Sequence, residues 1–310
     1  MTNLTSLFVA GVQVLGGATL PSTTGKYFFV DSSTGSNGNL GELSTEPKAT
    51  VDGAINVCRA DKGDVIVVMP NHAETVSATS IAMDVAGVTV ICLGNSEAQA
   101  TFTYSATGST VTVSADDCKW VGGLHQSTIL DCASAFTVSG GEGFSLEKGK
   151  FEDTSAILNF LSIVTTTTTD NAEDGLQVLK NTFYGLNTTP LAFVSILGDI
   201  KDLLVEGNFV DSAATADVGH FITFAAKDGV GTRISNNQLV VVGATDAAVG
   251  IFLTGSGTGH TGTVKGNLVS SLDTTTELIA TAGTGLVYFE NYYTGTADKS
   301  GKLWPVVDAA

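Results

Sequence analysis

From residue 176 onward the chain repeats a short pattern of apolar and polar positions. It reads as an apolar or β-branched residue, two variable positions, an Asn, then one or two large or apolar residues. The copies are Val178-Leu-Lys-Asn181 before Phe183, Val205-Glu-Gly-Asn208 before Phe209, Ile234-Ser-Asn-Asn237 before Leu239, Val264-Lys-Gly-Asn267 before Leu268, and Tyr288-Phe-Glu-Asn291 before Tyr292. Upstream, Gly takes the Asn place in Leu146-Glu-Lys-Gly149 and Trp120-Val-Gly-Gly123, and Cys92-Leu-Gly-Asn95 stands where a first copy would. The markers Asn95, Gly123, Gly149, Asn181, Asn208, Asn237, Asn267 and Asn291 lie 28, 26, 32, 27, 29, 30 and 24 residues apart, a mean of 28.

Residues beside the markers alternate as strands do, as in Leu176 with Val178 and Leu203 with Val205. A repeat of this length holds two or three short strands with their turns and leaves no room for a long helix. Leucine-rich repeats share the period, but their framework is absent, and propeller blades need about 40–50 residues. The pattern predicts an all-β chain folded as a β-solenoid, each coil stacking on its neighbour. The parallel crossover rule makes it a right-handed parallel β-helix. At about 4.8 Å per coil, eight or nine coils give a column roughly 40 Å tall. Asn and Gly both tolerate the left-handed αL conformation, so each marker is expected to be the αL residue of a tight turn. Thr165–Thr169 and Gly255–Gly262 read as solvated loops. The competing reading is a β-sandwich whose Asn turns recur by chance.

Solenoid ends must be closed, because an open coil exposes strand edges and its apolar column. Pro47 after Thr45-Glu46, followed by Val51, Ala54, Ile55 and Cys58 on one face, predicts an N-terminal capping helix over about 46–60. Leu303 and Trp304 are expected to fold back over the last coil.

The chain has 310 residues, at the upper limit of about 250–300 for one hydrophobic core. It carries 36 Gly, 42 Thr and only five Pro, a composition of short strands and turns rather than helices. Charged residues make up 15% against roughly 25% in an average soluble protein. With 14 Lys plus Arg against 31 Asp plus Glu, the net charge is −17, which excludes a nucleic-acid or anionic-membrane binder. The apolar stretch Leu7–Leu20 lacks the preceding Lys or Arg of a secretory leader. No apolar run is long enough to span a membrane. Cys58, Cys92, Cys118 and Cys132 have no metal-ligand spacing and read as reduced core residues. His72, His125, His220 and His260 are isolated, and no cofactor or metal is expected.

The order Lys26-Tyr-Phe-Phe-Val-Asp31-Ser-Ser-Thr-Gly35-Ser-Asn-Gly38, then Pro47-Lys-Ala-Thr50-Val-Asp-Gly-Ala54-Ile55, then Gly63-Asp64-Val-Ile-Val-Val resembles the opening of pectate-lyase-like right-handed parallel β-helix proteins. Pro70-Asn-His72-Ala-Glu74, Val85-Ala-Gly-Val-Thr-Val90 and Thr296-Ala-Asp-Lys-Ser-Gly-Lys302 extend it toward a group of tailed-phage virion proteins that decorate or cement the capsid as trimers. The resemblance implies an arm over residues 1–25, a β-helix over 26–300 and a tail over 301–310. It implies a structural subunit on the virion capsid surface, assembled in the host cytoplasm, with the major capsid protein and two copies of itself as partners. Within the arm, Leu7, Phe8, Val9, Val12, Val14 and Leu15 are the candidate capsid-binding residues, able to add a strand to a partner. A strand capping the first coil is the alternative for this arm.

The same superfamily contains polysaccharide lyases, hydrolases and glycan-cutting tailspikes. A tailspike or fibre module that binds or cleaves host polysaccharide is therefore the alternative function. Glycoside hydrolysis needs two carboxylates about 5–10 Å apart. Candidates are Asp116 with Asp117, Glu152 with Asp153, Asp170 with Glu173 and Asp174, and Asp199 with Asp202. Polygalacturonase-like enzymes carry paired Asp, Gly-His-Gly and Arg-Ile-Lys in that order. Here Gly259-His260-Thr-Gly262 is interrupted, and Arg233-Ile-Ser precedes it and lacks the Lys. No basic residue stands beside an acidic cluster as a lyase requires. The chain is expected not to be an enzyme and to have no catalytic residues.

Overall fold

The computed structural model describes residues 23–78, 80–186, 192–213, 220–225, 227–241, 249–253, 259–271, 277–280, 285–295 and 298–304, with the strands Phe8–Val9 and Val12–Gln13. Strands of two to five residues wind into a three-sided parallel β-solenoid. The first face stacks ten strands, from Tyr27–Val30 and Val65–Val68 through Gln177–Leu179 and Leu204–Glu206 to Gly285–Phe289. The second runs from Ala73–Val76 through Lys150–Asp153, Thr182–Gly185 and Phe209–Ser212 to Asn291–Gly295. The third stacks eight strands, from Ile81–Met83 through Ser162–Thr166 and His220–Phe224 to Glu277–Ala280. Inward positions recur on successive coils. Val90, Trp120, Leu146, Val178, Val205, Ile234 and Val264 line the first face and are fully buried.

Register partners on the first face from Thr89 onward lie 30, 26, 32, 27, 29, 30 and 24 residues apart. The marker intervals differ only at the first value, because Asn95 is not a register equivalent. It is exposed, in extended backbone ahead of the inserted 3-10 turn Ser96–Ala98. The equivalent residue is Ala100, whose carbonyl accepts from Leu124 N at 2.8 Å, as Gly123's accepts from Lys150 N at 2.9 Å. Two loop expectations also move, since Thr165 and Thr166 end a third-face strand while Thr261 and Gly262 begin a first-face one.

The role assigned to the Asn markers needs correction. The αL residue is the one before each: Lys148, Lys180, Gly207, Asn236, Gly266 and Glu290, with φ between 55° and 68°. Of the markers only Gly123 has positive φ, at 88°. The Asn side chains instead point inward, buried, and form a continuous ladder. Asn181 Nδ2 donates to Asn208 Oδ1 (3.1 Å), and Asn208, Asn237 and Asn267 each donate likewise to the next Oδ1 at 2.9 Å, ending on Asn291. Each Oδ1 also accepts the preceding marker's backbone N–H, from Gly149 N on Asn181 (2.8 Å) to Asn267 N on Asn291 (3.0 Å). The corner bends the backbone away from its own ladder, and the stacked amides satisfy the groups so freed. Above Asn181 aromatic rings occupy that space. A Cβ on Gly149 would sit 2.8 Å from the Phe151 ring, and one on Gly123 3.2 Å from Phe102 and His125. Phe102, His125 and Phe151 stack with centroids 5.1 and 4.8 Å apart. Trp120 and Phe136 pack edge-on against them.

A second αL column lies between the third and first faces. There Gly87, Asp117, Gly143, Gly175 and Asp202 each donate a backbone N–H to the next coil at 2.8–2.9 Å. The N-terminal helix α1 is Val51–Ile55, shorter than 46–60. Residues 46–49 stay out of the helix because Lys48 bridges Val30 and exchanges hydrogen bonds with Phe29 and Asp31, so Pro47 does not open a helix. Thr50 caps α1 by accepting from Gly53 N (3.0 Å), and Glu74 Oε2 accepts from Val51 N (3.0 Å) and lies 2.9 Å from His72 Nε2. Val51, Ala54 and Ile55 are buried against the first strands.

Asp64 opens the first full coil. Burial pushes its carboxyl up, but hydrogen bonds from Arg59 and from Lys26 N (2.7 Å) outweigh that and hold it below the usual carboxylate range. At the far end Asp298–Trp304 turns back antiparallel on Asn291–Gly295, pairing Trp304 with Asn291 and Leu303 with Tyr292. Of the arm residues, Phe8–Val9 and Val12–Gln13 form a separate antiparallel pair outside the solenoid sheets, while Leu7, Val14 and Leu15 lie outside the described residues.

Candidate functional site

The carboxylates gather on the corner between the third and first faces. Asp170 Oδ1 accepts from Asp199 N at 3.0 Å, and Asp199 Oδ1 accepts from Asp228 N at 2.9 Å. Three aspartates on successive coils thus tie each coil to the next. The Asp199 amide and then the Lys227 ammonium (2.5 Å) hold the Asp170 carboxyl below its usual range. Asp174 Oδ1 accepts from Lys201 N (2.8 Å), and Asp116 Oδ1 from Glu142 N (3.1 Å). Asp117 and Asp202 serve as αL turn residues.

The remaining pair lies elsewhere. Glu152, on the second face, is paired with Lys150 and accepts from Gln126 Nε2 (3.2 Å). Asp153 is buried and accepts from Phe160 N and Leu186 N, both at 2.8 Å, anchoring the loop that follows. Burial pushes the Glu173 carboxyl up, as a general acid would need, yet the group is sealed from solvent and accepts from Thr167 Oγ1 (2.6 Å). Asp116, Glu152, Asp153, Asp170, Asp174 and Asp199 therefore each accept a hydrogen bond from a neighbouring coil.

His260 ends the aspartate column. Its Nδ1 accepts from Gly229 N (3.0 Å), which leaves the ring proton on Nε2, 3.9 Å from Asp228 Oδ1. Both facing atoms are buried without a hydrogen bond. Burial depresses the His260 pKa, with Asp228 and Asp199 opposing it. Arg233 is exposed on the outer first face, so it and the buried His260 ring do not form one constellation. His72 and His125 are buried with one ring nitrogen bonded, and the side chain of His220 lies outside the described residues. Burial drives the His125 pKa down to about 3. The four cysteines are free and pack in or against the core, where burial raises their thiols, Cys118 to about 11 and Cys58 and Cys132 to about 12. Among the described residues no three His, Cys, Asp or Glu side chains gather as a metal centre would.

The outer second face has a different character. Tyr184 lies 6.0 Å from Phe209 with Lys150 over its ring, and Leu268 and Tyr292 continue the surface toward the end of the column. Lys265 lies over the exposed Phe289 at the adjoining corner.

No protein-family model matches the sequence, and no curated protein matches it. A solved structure of a rhamnogalacturonan lyase is similar over 85% of this chain and 84% of its own, with 13% identity and a TM-score of 0.42. A likeness this loose says nothing about activity.

Sequence reasoning placed the Asn column but missed the Asp170, Asp199, Asp228 column. Its signal was available, because those residues recur at 29 and 29 residues, each 9 to 11 residues ahead of an Asn marker. The aromatic surface was missed because its members come from different coils and share no local motif.

Proposed function

We propose that this chain is a non-enzymatic structural subunit of a tailed-phage particle, a homotrimer on the capsid surface that reinforces the head by bridging major capsid protein subunits. The observation that supports this reading best is the use of the carboxylates. Acids that a glycosidase would need serve the coil-to-coil bonding, as with Asp170 on Asp199, Asp199 on Asp228 and Asp153 on Leu186. A column tied at two αL corners, by an Asn ladder and by stacked strands resists extension along its axis. The resemblance over residues 26–95 supplies the virion setting, and binding several capsid subunits at once supplies avidity without one strong contact. The arm would add a strand to a capsid subunit through Phe8, Val9 and Val12.

A second reading has one observation in its favour. The exposed rings of Tyr184 and Phe289 beneath Lys150 and Lys265 would suit a fibre module that binds a surface polysaccharide. Purified protein added to undecorated capsids and, separately, to host polysaccharide distinguishes the two. Saturable, stoichiometric capsid binding is expected. Glycan binding or released oligosaccharide, with no capsid binding, would overturn the proposal.

A further inference from the structure

We propose that the outer second face, from Lys150–Asp153 to Asn291–Gly295, is where copies of this chain meet; the inference rests on the homotrimer reading and names its surface. Along this face outward residues in register include Thr182, Phe209, Gln238, Leu268 and Tyr292, and beside them Tyr184 and Val240. Tyr184 is 41% exposed, Leu268 36% and Tyr292 49%, and Leu186 at the adjacent turn is 46% exposed. Clustered large apolar groups on a sheet face mark an association surface, whereas single ones do not.

Charge selects the occupant. A second copy also carries −17, so two copies approach only through a surface nearly free of net charge. Lys150, Glu152 and Asp211 are the charged outward residues among the described strands of this stretch, and Lys150 is paired with Glu152. The acidic residues Asp116, Asp117, Asp170, Asp174, Asp199 and Asp202 instead lie at or beside the turns between the third and first faces. Association through the second face keeps that corner in solvent.

Size extends the surface beyond the sheet. Strands of about four residues at roughly 3.3 Å each, over six coils at about 4.8 Å, cover on the order of 350 Å² of flat area. A standard interface takes about 800 Å² per partner. The apolar residues flanking the face, Leu186 on one side and Val287 with Phe289 on the other, therefore belong to it. In a threefold ring each copy meets two others, so the face and these flanks divide between two neighbours.

Sedimentation and light scattering, with circular dichroism to verify folding, test this on the full chain. Wild type is expected to be a trimer. Leu268→Asp with Tyr292→Asp, and separately Gln238→Glu at an exposed polar position on the same face, are expected to weaken association at least tenfold with the melting temperature of the monomer retained. Leu40→Asp, an exposed apolar residue on the loop before α1 and away from this face, is expected to leave the trimer intact. If Gln238→Glu and the double variant both remain trimers at wild-type affinity, the face is wrong while the trimer reading stands. A monomeric wild type overturns both. Trimers that persist in the variants but no longer bind capsids would assign the face to the capsid protein instead, and also overturn the inference.

Discussion

Truncating Asn208 to alanine removes four hydrogen bonds from the inside of the column. Its Oδ1 accepts from Asn181 N (2.9 Å) and Asn181 Nδ2 (3.1 Å), and its Nδ2 donates to Val178 O (2.8 Å) and Asn237 Oδ1 (2.9 Å). Asn181 Nδ2 keeps Leu146 O, and Asn237 Oδ1 keeps Asn208 N. The Asn181 backbone N–H loses its ladder partner in a buried site, which costs about 1–3 kcal/mol, and each of the other lost bonds about 0.5–1 kcal/mol. We expect Asn208→Ala to lower stability by about 2.5–6 kcal/mol by these figures, against about 5–15 kcal/mol for a whole domain. Urea unfolding followed by far-UV dichroism measures it, and amide exchange at Asn181 reports the local loss. Asn95→Ala is the control, because that residue is exposed and outside the ladder; it should change stability by no more than about 0.5 kcal/mol. A loss below about 1 kcal/mol for Asn208→Ala, or one matched by Asn95→Ala, would refute the ladder as a determinant of the fold.

Three further outcomes follow from the core and the turns. His125 has a folded pKa of about 3 against an ordinary 6.5, so the unfolded chain binds the proton more readily and stability falls as pH drops below about 6.5, by up to about 1.4 kcal/mol per pH unit. His125→Phe, which continues the Phe102 and Phe151 stack, should flatten the slope between pH 6 and 4; an unchanged slope in pH-dependent melts contradicts this. Trp120→Ala should cost about 3–5 kcal/mol in the same urea assay because the ring is fully buried among Phe102, His125 and Phe136. Lys180→Gly should raise stability by about 0.5–1 kcal/mol, since relief of a non-glycine αL residue exceeds the added chain entropy. A loss there would show that the Lys180 side chain contributes more than its backbone strain removes.

How much of this was legible in the sequence divides along physical lines. The period was legible because parallel stacking puts equivalent residues at one register position, and the Asn ladder requires the same side chain on each coil. From Gly123 to Asn291 the marker spacing is the register of the first face. The reason for the Asn was not legible: the αL tolerance of Asn suggested a turn residue, whereas the αL position is one residue earlier, where Gly207, Asn236 and Gly266 suit it but Lys148, Lys180 and Glu290 give no sign of it. Asn95 misled because the inserted turn Ser96–Ala98 moves the true equivalent to Ala100, which shares no chemistry with Asn. The helix was placed but overextended, since Pro47 and the apolar spacing cannot reveal that Lys48 pairs with the first strand. Asp170 and Asp199 stood out as candidate acids but not as acceptors for the next coil, and Asp228 did not stand out at all, because a carboxylate bound to the next coil's N–H reads no differently in sequence from one facing substrate.

Whether the column is a structural subunit, as proposed, is tested most directly by titrating the purified protein onto undecorated capsids, read by co-sedimentation and by the force or heat needed to open the heads. Saturable binding at a fixed ratio of this protein to capsid subunits is expected, with heads that open at higher temperature once decorated. Capsids that bind no protein, or that bind it and open no later than bare ones, would contradict it.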